Sequence, residues 1–124
     1  MKNTFAKSTL TAASLVALLT VTGNVYAHAH LKGETPAADS TSKSQKDLHL
    51  SFSEAVEARF SKLTVTSAGK PVAVKSIETD PADNKVLIVT PEQPLAAGEY
   101  KVEWHAVSVD THKTDGSYSF KIEN

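Results

Sequence analysis

Two pairs of residues in this chain are spaced for metal chemistry. His28 and His30 flank Ala29 near the start, and Asp110 and His112 flank Thr111 near the end. Imidazole nitrogen and carboxylate oxygen are common donors to divalent transition metals. In extended chain, side chains two residues apart point to the same side. Asp110 and His112 therefore read as two ligands, or as one histidine ligand oriented by a carboxylate. The plainer reading of the same residues is a capped turn at a strand end. A histidine that begins a chain has a donor that no internal histidine has. Its α-amine and its own imidazole chelate a single ion. What precedes His28 therefore decides the chemistry.

Residues 1–27 read as a secretory signal peptide. Lys2 and Lys7 give a positive start, Leu10 to Val21 is mostly apolar and uncharged, and Val25-Tyr26-Ala27 supplies the small residue before a cut. The apolar run is short and rich in Thr and Ser, whereas a membrane span needs about 20 predominantly apolar residues. Cleavage after Ala27 makes His28 the N-terminal residue. The expected domain is then 28–124, large enough for one modest core. Lys2 and Lys7 leave with the signal, so the remainder carries 11 basic and 14 acidic residues, a net charge of −3 with His neutral. That balance gives no electrostatic reason to expect nucleic acid or an anionic membrane surface.

Sulfur is absent from the expected domain. There is no cysteine, and Met1 is the only methionine. The fold must rest on its core without disulfides. Soft thiolate and thioether ligands favour Cu(I), whereas imidazole and amine nitrogen suit Cu(II), Ni(II) or Zn(II). Amine, two imidazoles and a carboxylate from His28, His112 and Asp110 would make the tetragonal N,O set that Cu(II) prefers. His30 offers a competing geometry, in which the amine, two deprotonated backbone amides and the third-residue imidazole wrap the ion. A strand beginning near His30 would commit those amides to a ladder and resist the wrap. His49 and His105 fall on the polar faces of their segments and read as surface histidines.

The elements that must position these residues are short and alternate in polarity. Leu48, Leu50 and Phe52 share one face of "DLHLSFSE", as do Leu63 and Val65 of "SKLTVTS" and Val72 and Val74 of "VAVKSIE". "KVLIVTP" is a nearly continuous apolar run, which predicts a strand covered on both faces. Tyr100, Val102, Trp104 and Ala106 alternate in one segment, and Tyr118, Phe120 and Ile122 in the last. "TPAAD", "AGKP", "DPADN" and "PLAAGE" punctuate them as turns and loops. "SEAVEARF" predicts one helical turn or a loop crossing between sheets. Period-two patterning over about seven segments predicts an all-β sandwich or barrel.

"HAHL", "TPAAD", "LHLSFSEAVE" and "LAAGEYKVEWHAVSVDTHKTDGSYSFKI" together resemble the CopC-like copper-resistance proteins, in particular the short YobA-type members. The resemblance covers essentially all of 28–124. Its most specific part is Trp104, Ser108, Asp110 and His112 followed by Gly116 and a final strand. It implies an immunoglobulin-like Greek-key β-sandwich, exported to the periplasm. It implies Cu(II) held by the amine and imidazole of His28 with Asp110 and His112, for copper homeostasis rather than catalysis. Glu54 matches an acidic position near the site. The family's usual partner is a CopD-like inner-membrane protein, and a monomer is expected. One departure is plain: some members carry a methionine-rich loop for Cu(I), and this chain has none, which implies a Cu(II)-only protein. Two other functions compete. A histidine-brace copper monooxygenase also uses an N-terminal histidine on a β-sandwich, but needs an open coordination position and an aromatic substrate face. A plain structural sandwich would carry these histidines incidentally.

Overall fold

A computed structural model describes residues 29–124 of the chain. Among the described residues, nine β-strands run in order: β1 (Leu31–Thr35), β2 (Thr41–Ser42), β3 (Leu48–Phe52), β4 (Lys62–Ser67), β5 (Lys70–Val72), β6 (Val74–Asp80), β7 (Asp83–Pro91), β8 (Gly98–Val107) and β9 (Lys113–Ile122). Seven of them have five residues or more and match the seven segments expected; β2 and β5 are the short additions. They form two sheets, ordered β1-β3-β7-β6 and β2-β9-β8-β4-β5. The chain crosses between the sheets repeatedly, at first strand by strand and then in the pairs β4–β5, β6–β7 and β8–β9, giving the β-sandwich that the resemblance implied. No helix occurs among the described residues.

The alternating residues meet between the sheets. Leu48, Leu50, Phe52, Leu87 and Val89 come from one sheet; Val65, Tyr100, Val102, Trp104, Ala106, Tyr118, Phe120 and Ile122 come from the other, and all are buried. The Trp104 and Phe52 rings pack edge to face across the layers, with centroids 5.2 Å apart. Tyr100, near the start of β8, donates its hydroxyl proton to the Ala96 carbonyl at 2.6 Å. Such a tyrosine corner recurs in immunoglobulin-like sandwiches. Burial pushes the Tyr100 hydroxyl pKa up, and that of Tyr118 more strongly, because desolvation opposes a phenolate.

Two local expectations are corrected. Val72 and Val74 do not share a face of one strand, because the chain changes sheets between them at Ala73. Val72 pairs with Val65 of β4, whereas Val74 pairs with Pro91 of β7. The run "KVLIVTP" is covered fully on one face only. Leu87 and Val89 are buried, whereas Val86 and Ile88 on the outward face are half-buried. Their partial cover comes from neighbours in the sheet, since Ile88 lies between His49 and Glu78.

One end of the sandwich gathers the chemistry. β8 and β9 pair over ten residues each, from Gly98↔Ile122 to Val107↔Lys113, and the loop Ser108–His112 closes this hairpin. "SEAVEARF" crosses from β3 in one sheet to β4 in the other. It contains a single turn, in which the Phe60 and Ser61 amides both reach the Glu57 carbonyl at 3.1 Å. The crossover is tied to the loop, with the Val109 amide donating to Ala55 and Glu57 donating to Val107. Ser61, buried beneath it, accepts the Val107 amide proton at 3.1 Å.

Candidate metal site

The loop between β8 and β9 is a tight, internally bonded turn. The Ser108 amide donates to the His112 carbonyl, and the Thr111 amide donates to the Ser108 carbonyl, both at 2.9 Å. Thr111 takes a left-handed φ of 72°. This backbone is not extended, so the side-chain parity argument for Asp110 and His112 fails. The turn nonetheless brings the two together: His112 Nδ1 lies 3.1 Å from Asp110 Oδ2. The other carboxylate oxygen, Oδ1, accepts from the Ser108 hydroxyl, and the His112 amide approaches it at 3.4 Å.

This arrangement serves two purposes at once. The carboxylate caps the turn, as the plainer reading required. It also fixes the imidazole through Nδ1, which directs the opposite ring nitrogen, Nε2, away from the carboxylate. An Asp–His pair of this kind orients a histidine ligand and raises its basicity. The hydrogen bond from Ser108 is the main cause that holds the Asp110 carboxyl below its ordinary pKa. Desolvation opposes it, and the neighbouring His112 adds to the lowering through hydrogen bonds and charge. The lowered pKa favours the ionised carboxylate, the form that accepts from an imidazole.

The start of the described chain is anchored at the same end. Ala29 is 1% exposed, and its carbonyl accepts the Thr114 hydroxyl proton at 2.6 Å, two residues beyond His112. The His30 amide donates to Ser53 Oγ at 2.9 Å, while the Ser53 amide donates to the His30 carbonyl at 2.8 Å. The chain thus bridges the two sheets before β1 begins. His28 lies outside the described residues. The His30 amide is already engaged, which opposes the wrapped mode that needs it deprotonated. The His30 side chain is exposed and borders a shallow groove with Leu31, Trp104, Lys113, Thr114 and Asp115.

The remaining histidines are elsewhere. His49 sits on the outward face of β3 with Asp47 Oδ1 at 3.2 Å, and His105 faces Asp115 across the β8–β9 ladder at 4.0 Å. Glu54 is exposed and directly follows Ser53. Among the described residues, no three of His, Cys, Asp or Glu gather to hold a metal ion. Sequence reasoning missed Ser53 and Thr114, whose hydroxyls fix the N-terminal segment. Their polar character was consistent with solvent-facing positions, and nothing in the spacing marked them as anchors.

The chain is thus a small β-sandwich protein with a hairpin-borne imidazole–carboxylate pair at one end. A family model described as the CopC domain matches residues 31–123, and the chain belongs to that family. Protein YobA of Escherichia coli K12 is 39% identical over 124 residues, covering 95% of this chain and 97% of that one. Copper resistance protein C of Pseudomonas syringae pv. tomato is 41% identical over 103 residues, covering 78% of this chain and 82% of that one. Among solved structures, PcoC, a methionine-rich copper resistance protein from Escherichia coli, superposes with a TM-score of 0.72 at 39% identity. That match covers 78% of this chain and all of PcoC.

Proposed function

We propose that this chain is an exported Cu(II)-binding protein for copper homeostasis, residing in the periplasm after cleavage behind Ala27. In this reading, residues 28–124 form one copper-binding domain. The ion is held by the amine and imidazole of His28, the imidazole of His112 and the carboxylate of Asp110, which either binds directly or orients His112. The observation that carries the reading is the anchoring of Ala29 to Thr114, because Ala29 is covalently joined to His28 and Thr114 follows His112 by two residues. The names of the relatives, copper resistance proteins among them, support copper as the cargo. The absence of sulfur from residues 28–124 supports the oxidised ion.

In this reading the protein carries copper rather than catalysing a reaction, which the names of its relatives, copper resistance proteins among them, support. A CopD-like inner-membrane protein is the partner that family membership suggests. The deciding experiment is N-terminal sequencing of the exported protein, followed by Cu(II) titration of the natural form and of a form with one residue added before His28. The added residue converts the amine to an amide, and binding should weaken by orders of magnitude. Equal affinity of the two forms would refute the site.

A further inference from the structure

We propose that Ser108 is a positioning residue, whose hydroxyl aims the Asp110 carboxylate at His112 and thereby sets the Cu(II) affinity of the pair. The inference rests on the copper reading above and adds a residue to it. Ser108 is 1% exposed, at the point where the β8 ladder gives way to the loop and where Val56 of the crossover bridges to it. The backbone of Ser108 closes the turn without help from its side chain, through its amide to the His112 carbonyl and its carbonyl to the Thr111 amide. The hydroxyl is therefore spare as far as the turn is concerned.

It has one proton to give. Two acceptors compete for it: Asp110 Oδ1, and the His112 carbonyl at 3.3 Å. An ionised carboxylate is the stronger acceptor. Asp110 is thus gripped at both oxygens, with a buried hydroxyl on Oδ1 and the imidazole on Oδ2. Two fixed points define the plane of the carboxylate. Its own side chain is exposed, so without Ser108 nothing buried would hold it, and water would satisfy Oδ1 at little cost. Removing the hydroxyl should loosen the aim of Asp110 while sparing the fold.

The test uses the exported form and begins without metal. Nitrogen-15 NMR reads the His112 tautomer in the natural protein and in Ser108→Ala. The natural protein should hold the proton on Nδ1, facing Asp110, and the variant should shift toward the Nε2–H form. Cu(II) titration should then show binding about 10- to 100-fold weaker in Ser108→Ala, with a nearly unchanged thermal midpoint for the metal-free fold. In an Asp110→Asn background, the same Ser108→Ala change should have no further effect, since its route to the metal is already cut. An unchanged tautomer, an effect that adds fully to that of Asp110→Asn, or unfolding of Ser108→Ala would each overturn the proposal. If the natural protein binds no Cu(II), the copper reading fails alone, and the tautomer comparison still decides whether Ser108 positions Asp110.

Discussion

Gly116 faces Trp104 across the β8–β9 ladder, and replacing it with alanine tests how rigidly the site end is built. A Cβ at position 116 would lie 2.6 Å from Trp104 Cζ2, 2.9 Å from Cε2 and 3.0 Å from Nε1. Carbon atoms in contact prefer about 3.5–4.0 Å, so the methyl would overlap the ring by roughly 1 Å. The indole cannot swing away, since it is 6% exposed and packed edge-on against Phe52. Overpacking of this kind costs about 1–3 kcal/mol, and a fixed aromatic ring argues for the upper end. For a domain of this size each kcal/mol lowers the thermal midpoint by about 4–8 °C, which gives a fall of about 12–24 °C at the upper end. Calorimetry or urea unfolding of metal-free Gly116→Ala reads this directly. The clash can be isolated by repeating the change in a Trp104→Phe background, where the smaller ring should recover about 1 kcal/mol or more of the loss. A midpoint within a degree or two of the natural protein would refute the reasoning, as would a penalty that stays the same with Phe at 104.

Three further outcomes are expected. Thr114→Val removes the hydroxyl that holds the Ala29 carbonyl; Cu(II) binding should weaken about tenfold or more, and isothermal titration showing full affinity would separate the N-terminal anchor from the site. His112→Ala should lose most Cu(II) affinity while His30→Ala keeps it, because the His30 amide is engaged by Ser53; competition against a chelator would expose the wrapped mode if the ranking reversed. Acid should act in two stages. Copper binding should fall as pH drops through the imidazole range near about 6.5. Asp110 has a depressed pKa in the fold, so its contribution to stability is complete above the ordinary carboxylate range near about 4 and is lost only as pH falls through the lower folded value. The difference in urea midpoint between the natural protein and Asp110→Asn should accordingly be constant above about pH 4 and shrink below it; a difference that persists unchanged to pH 2 would contradict the assignment.

Much of the fold was legible in period-two patterning. Leu48, Leu50 and Phe52, the β8 set from Tyr100 to Ala106, and the β9 set from Tyr118 to Ile122 all point inward as their alternation required. What alternation cannot show is a change of sheet inside one apolar run. Val72 and Val74 keep the right parity on paper, yet belong to different layers, because nothing at Ala73 marks the switch. The candidate pair was legible for a reason that proved wrong in detail. Asp110 and His112 meet through a left-handed Thr111 and a turn, not through a shared strand face. Ser53 and Thr114 were not legible at all, since their roles depend on contacts spanning 23 and 85 residues.

The edges of the two sheets bear on how this protein behaves in a crowded compartment. The outermost strands are β1 and β6 in one sheet and β2 and β5 in the other. β2 has two residues and β5 three, with Pro71 at its centre. β1 and β6 are longer, but their registers shift, once in β1 and twice in β6. An edge that is short, broken or proline-bearing offers a poor template for another chain's strand. A chain that folds without disulfides is open to its own copies whenever its strands are not yet packed. Blunted edges give such copies little to pair with, a colloidal safeguard built into the outline of the sheets rather than into any bond.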